Sequence, residues 1–144
     1  MKKYIASDHA GFKLKEKIKK EFELADLGVF SEDRADYPKI AFELAEKVSR
    51  ENAIGILVCG TGIGMSIAAN KVKGIRAAVI YDEFTAKMAR EHNNANIACL
   101  GARNISEKKA LELIKTFLAT KFEGNTEPGK RHLQRIRQIE KIEK

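Results

Sequence analysis

A chain of 144 residues that is 44% apolar and 33% charged can bury about two-thirds of its unfolded surface around one core, and reads as one ordinary globular domain over residues 1–144 with room for a single site. No apolar run reaches the roughly 18 residues a bilayer span needs, the opening MKKYIASD turns polar too early for a secretory signal, and the two cysteines, Cys59 and Cys99, have no metal-motif spacing and do not suit a disulfide framework. The expectation is a cytoplasmic protein with reduced thiols and no membrane contact.

The net charge of +7 would suit a polyanionic partner. However, the stretch from Pro128 onward carries six basic and two acidic side chains, and so supplies +4 of that total. Anion binding is expected to concentrate at that end.

Short β-rich apolar runs alternate with segments of helical period, the pattern of a parallel sheet with helices on its faces. In chain order, a strand is predicted over Lys3–Ser7, a helix over Gly11–Glu23, a strand over Leu24–Leu27 and a helix over Pro38–Arg50. Then follow a strand over Ile54–Cys59, a helix over Gly62–Val72, a strand over Arg76–Ile80, a helix over Glu83–His92, a strand over Asn96–Leu100 and a helix over Ser106–Thr120. Pro38 suits a first helical turn and Ser106 an N-cap. The fold class that follows is α/β: a three-layer α/β/α sandwich, Rossmann-like, on a five-stranded parallel sheet.

The stretch FEGNTEPGK (122–130) reads as a loop, and RHLQRIRQIEKIEK after it as a separate basic helix. Its stripe of Leu133, Ile136, Ile139 and Ile142 needs a partner surface, either this domain or a second subunit on which residues 128–144 lie as an arm.

In open α/β sheets ligands bind outside the carboxyl ends of the strands, and VCGTGIGMSIAANK (58–71) is such a place. Gly60, Gly62 and Gly64 let the main chain approach a ligand, and the amides of residues 60–64, Ile63 among them, open a helix and make a cradle for an anion or oxyanion. A dinucleotide fingerprint competes, with Asp82 at a suitable distance for a ribose-binding acid. Met65 in place of the third glycine, the position after the third strand, and the lack of residues for a substrate domain all weigh against it.

Cys59, at a strand end, could simply pack. At the N-terminus of a helix, however, a thiol has its thiolate stabilised and becomes a base or nucleophile. Cys99, inside an apolar run, reads as a packing residue. His9, in the turn after the first strand beside Asp8, and His92, in the turn before the last strand, have the proton affinity that acid–base work needs, although either could be structural. Arg131 and Arg135, four apart on one helix face, could grip a phosphate or form a solvated basic face.

SDHAGFKLK, DYP, CGTGIGMSIAANK, GIRAA, HNNAN, LGAR and RHLQR occur in this order along nearly the whole chain. Together they resemble the ribose/galactose isomerase family, most closely its type B ribose-5-phosphate isomerases. The resemblance implies interconversion of ribose 5-phosphate and ribulose 5-phosphate through ring opening and an enediolate, without metal or redox cofactor. It makes Cys59 the base that moves the proton between C1 and C2, and His92 the acid that opens the ring. Asp8, Thr61 and Asn93 would hold ring and hydroxyl oxygens, with Tyr37 a pocket residue.

His9, Arg103, Arg131 and Arg135 would grip the phosphate, some of them lent by a partner in a homodimer or in a tetramer. Some family members lack the cysteine and carry a glutamate at the position of Met65, so this chain reads as the cysteine type. Two features depart from the family pattern: a short connection at EFELADLG and a longer loop at EGNTEPGK. The alternatives are an isomerase of allose or galactose 6-phosphate and, in another class, a nucleotide- or RNA-binding module; the resemblance favours the pentose phosphate and no nucleic acid.

Overall fold

The computed structural model describes residues 1–143, so Lys144 of the predicted C-terminal arm lies outside it. The strands are β1 (Lys3–Ser7), β2 (Ala25–Asp26), β3 (Ile54–Cys59), β4 (Ala77–Val79) and β5 (Ile97–Gly101). The helices are α1 (Phe12–Glu21), α2 (Tyr37–Glu51), α3 (Ile63–Ala69), α4 (Glu83–Glu91), α5 (Glu107–Ala119) and α6 (Lys130–Glu140). The strands pair in the order β2-β1-β3-β5-β4, all parallel, which is the three-layer arrangement expected from the sequence.

Period-two alternation sends successive side chains of each strand to opposite faces. In β3, Ile56 and Val58 join Ile18, Leu113 and Phe117 under α1 and α5. Leu57 and Cys59 face the other way, into a second core with Leu44 and Val48 of α2 and Met65 and Ala69 of α3. Every residue of β3 is buried, as a central strand covered on both faces requires.

The predicted elements differ from the observed ones chiefly at their ends. Helix α3 stops at Ala69 rather than Val72. The Asn70 side chain accepts from the Ala77 amide (2.8 Å) and donates to the Ala77 carbonyl (2.9 Å), and Gly74 at φ 85° turns the chain into β4. Strand β2 is cut to two residues. Its second residue, Asp26, holds the wholly buried Lys15 through both carboxylate oxygens (2.8 and 2.9 Å).

Helix α6 is the C-terminal helix expected from the sequence. It lies along the amino edge of its own sheet, with His132 and Ile136 buried. An Arg76–Glu140 ion pair (3.5 Å) and the Glu143 carboxylate, accepting from the Gly74 amide (3.1 Å), hold it there. Only part of the apolar stripe is covered: Ile139 is 53% exposed and Ile142 81% exposed. No described helix is long and apolar enough to cross a membrane.

Candidate active site

The chain leaves β1 toward β2 on one side and returns to β3 on the other, so the carboxyl ends of β1 and β3 form the switch point at which open α/β sheets bind ligands. Asp8 and His9 follow β1 there, and Cys59 and the glycine loop end β3. Backbone meets backbone at this point, because a Cβ on Gly11 would come within 2.4 Å of the Val58 carbonyl oxygen. Asp8 is buried and accepts from the Gly11 amide through Oδ1 (3.1 Å). His9 Nδ1 accepts from the Ala35 amide (3.2 Å), which leaves the neutral ring's proton on Nε2 as a donor.

Cys59 is 6% exposed and its Sγ accepts from the Gly62 amide at 3.1 Å. Gly62 turns at φ 81°, a conformation that side chains rarely adopt, and starts α3. The Ile63 amide is also engaged, donating to Thr61 Oγ1 (3.2 Å). The cradle of open amides expected over residues 60–64 is therefore partly spent inside the loop. What the Gly62 amide serves is the sulfur itself.

Two further predicted residues reach the same edge. The Arg103 guanidinium lies along Gly60, where a Cβ would sit 3.1 Å from Nη1, and the Arg103 amide donates to the Gly60 carbonyl (3.0 Å). The Tyr37 ring covers Gly64, where a Cβ would lie 2.6 Å from Cε1 and Cζ. Burial pushes the Cys99 thiol far up, which fits its reading as a packing residue. Asp82, the acid of the competing dinucleotide reading, caps α4 by accepting from the Thr85 amide (2.7 Å).

His92, Asn93, Arg131 and Arg135 lie elsewhere in the chain, at the opposite edge of the sheet. Helices between parallel strands run back, so α4 ends at the amino edge, and His92 is its C-cap. Helix α6 crosses the same edge and carries the two exposed arginines; Arg131 donates to the Pro128 carbonyl. Along β5, about 13 Å at ~3.3 Å per residue separates this edge from the level of Cys59, which pairs with Gly101. The predicted residues form two clusters: Asp8, His9, Tyr37, residues 59–64 and Arg103 at the carboxyl edge, and His92, Asn93, Arg131 and Arg135 at the amino edge.

Sequence reasoning missed two neighbours of His92. The His132 ring stacks on it with centroids 3.9 Å apart and planes 15° from parallel. Glu123 Oε2 lies 3.9 Å from His92 Nε2 and 3.8 Å from His132 Nε2. The signal for His132 lay in RHLQR, where it stands beside Arg131 and three residues before Arg135. For Glu123, inside a loop, there was none.

A thiol accepting from a loop amide, an imidazole left with Nε2–H as its donor and an arginine gather at a switch point of the kind where α/β enzymes bind ligands, without a dinucleotide fingerprint. Residues 4–139 match the family model for ribose/galactose isomerases, and the chain belongs to that family. It is 39% identical to ribose-5-phosphate isomerase B of Escherichia coli, over 94% of this chain and 92% of that one. The structure of ribose-5-phosphate isomerase B from Clostridium thermocellum superposes with a TM-score of 0.91 at 43% identity, covering 99% and 97% of the two chains. The enzyme of that name from Mycoplasma genitalium, solved with bound ribulose-5-phosphate, gives a TM-score of 0.89 at 41% identity, covering 99% and 95%.

Proposed function

We propose that this chain is a cytoplasmic ribose-5-phosphate isomerase, that residues 1–144 act as one catalytic domain, and that the active unit is a homodimer. The observation that carries the substrate is the bound ribulose-5-phosphate in a relative that shares 41% of the sequence over 99% of this chain. The two separated residue clusters support the dimer. A two-fold pairing sets the carboxyl edge of one copy against the amino edge of the other, twice over. The exposed Ile63 (55%) and Ile67 (59%) on α3, a helix that runs from the first edge to the second, fit such a contact. The C-terminal helix contributes from the amino edge.

In this reading His9, Arg103, and Arg131 and Arg135 of the partner subunit hold the phosphate by charge-assisted bonds. His92 of the partner subunit protonates the ring oxygen as its bond to C1 breaks, the C1 hydroxyl releases its proton to solvent, and the aldehyde forms. The Cys59 thiolate takes the proton from C2, and the electron pair of the C–H bond becomes the C1–C2 double bond of an enediolate. Loop amides not spent on Cys59 and Thr61 hold the developing oxyanion, with Thr61, Asp8 and Asn93 on the hydroxyl oxygens. A donor of this kind is typically worth about 3–4 kcal/mol. Return of the proton from sulfur to C1, as the O2 hydroxyl proton passes to O1, gives the ketose. Cys59 acts twice, first as base and then as acid, and no outside redox agent is needed.

The test is a panel of aldose phosphates given to the purified chain alone. Faster turnover of ribose 5-phosphate than of allose or galactose 6-phosphate is expected. A preference for a hexose phosphate overturns the substrate, and salt-dependent RNA binding without turnover overturns the enzyme.

A further inference from the structure

We propose that His92, Glu123 and His132 form a binding site for a divalent transition-metal ion of the zinc type, and that an ion held there blocks isomerisation. Glu123 Oε2 stands 3.9 Å from His92 Nε2 and 3.8 Å from His132 Nε2, too far for a hydrogen bond to either. One ligand atom from each side chain lies within 4.8 Å of the others, a grouping found once among the described residues. Closing such a triangle to the ~2.0–2.2 Å that zinc takes from imidazole and carboxylate needs small inward shifts of the ligand atoms and a turn of the two rings out of their stack, so that each Nε2 lone pair faces the ion.

A second observation points to a ligand. His132 is 5% exposed, and its Nε2 has no hydrogen-bond partner among the described residues. Leaving a buried polar atom unpaired is costly, and native structures seldom do so without a use for it. A cation between the three side chains satisfies that nitrogen. Two imidazoles and one carboxylate select zinc-like ions over magnesium or calcium, which prefer oxygen ligands, and the half-exposed His92 side leaves a position open for water.

Glu123 stands in the loop between α5 and α6. It is locked in place: the Glu123 amide donates to the Glu91 carbonyl (3.0 Å), the Thr126 amide donates back to Glu123 (2.9 Å), and a Cβ on Gly129 would come within 2.1 Å of the Glu123 carbonyl oxygen. Nothing in the isomerisation uses Glu123 or His132. Binding rests on this geometry alone, whereas the block on turnover rests on the reading of His92 as the ring-opening acid, because a metal-bound Nε2 has no proton to give.

The experiment titrates the metal-free full-length protein with Co²⁺, read by visible absorption, and with Zn²⁺, read by calorimetry. Each chain is expected to bind one ion with the spectrum of a four- or five-coordinate nitrogen–oxygen site. Glu123→Gln should weaken binding at least tenfold, His132→Gln should abolish it, and Cys59→Ser should leave it unchanged. If His132→Gln does not fold, Glu123→Gln carries the test. Zn²⁺ inhibition, measured against each variant's own activity, should shift in Glu123→Gln by the same factor as binding. Absence of one-to-one binding, or binding indifferent to Glu123→Gln or lost in Cys59→Ser, overturns the site; binding without inhibition overturns the block. A chain that does not turn over ribose 5-phosphate refutes the proposed function, while the metal titration still reads the site.

Discussion

The Gly62 amide donates to Cys59 Sγ at 3.1 Å, across a turn that only a left-handed glycine makes easily. The sulfur is thereby held at the mouth of the switch point, although it belongs to the core between the sheet and α2 and α3.

Replacing that sulfur should remove the proton transfer and little else. Cys59→Ala is expected to lower kcat by about 10²–10⁴-fold, the usual contribution of a positioned base. Competitive inhibition by inorganic phosphate should stay unchanged, since the proposed phosphate grip lies on other residues. Steady-state kinetics on ribose 5-phosphate measures both, and full turnover in the variant would assign the base to another group.

The distance between Cys59 and His92 in one chain gives a sharper test. Cys59→Ala and His92→Ala chains, each inactive alone, should recover about a quarter of wild-type activity when dissociated and reassociated together, because half the pairs are mixed and each mixed pair rebuilds one intact site. No recovery, with mixed pairs verified by mass spectrometry, would place the whole site in one subunit.

Arg135 is exposed on α6 and makes no hydrogen bond or ion pair among the described residues, so its removal should cost binding without unfolding. Loss of a charge-assisted bond of about 1.5–3 kcal/mol predicts a KM for Arg135→Ala raised by about tenfold to a hundredfold with kcat nearly constant. The reverse split would deny it the phosphate.

Away from the site, Asp26 anchors the buried Lys15 and also Lys19 (2.7 Å). Burial pushes its carboxyl up, but hydrogen bonds from Lys15, Lys19 and the Gly28 amide outweigh this and leave it below the usual carboxylate range. A folded pKa below the unfolded one stabilises the fold above the ordinary carboxylate range, and the benefit is lost as pH falls through it. Asp26→Asn should therefore cost about 3–5 kcal/mol at neutral pH by stranding a buried ammonium. Denaturant melts at several pH values should show the gap from wild type closing in acid.

Most of this architecture was legible in the sequence, because a central strand such as IGILVC and its neighbouring helices declare themselves by period. The swap of β4 and β5 in the sheet was not legible, since apolar runs do not say which neighbour they pair with. The division of the site into two clusters was legible in principle: His92 ends a helix and Cys59 ends a strand, and in a parallel α/β fold those ends point opposite ways. Glu123 and the His92–His132 stack depend on a loop path that no periodicity encodes.

At the carboxyl edge, main chain packs directly on main chain. A methyl group on Gly11 would strike Val58, and one on Gly101 would strike the Thr61 backbone at 2.7 Å. Drift in what the enzyme accepts must therefore come from its rim, where Tyr37 leans on Gly64 and Arg103 on Gly60. Laboratory selection for a longer or shorter sugar should find its gains at those two side chains and its dead clones among the glycines.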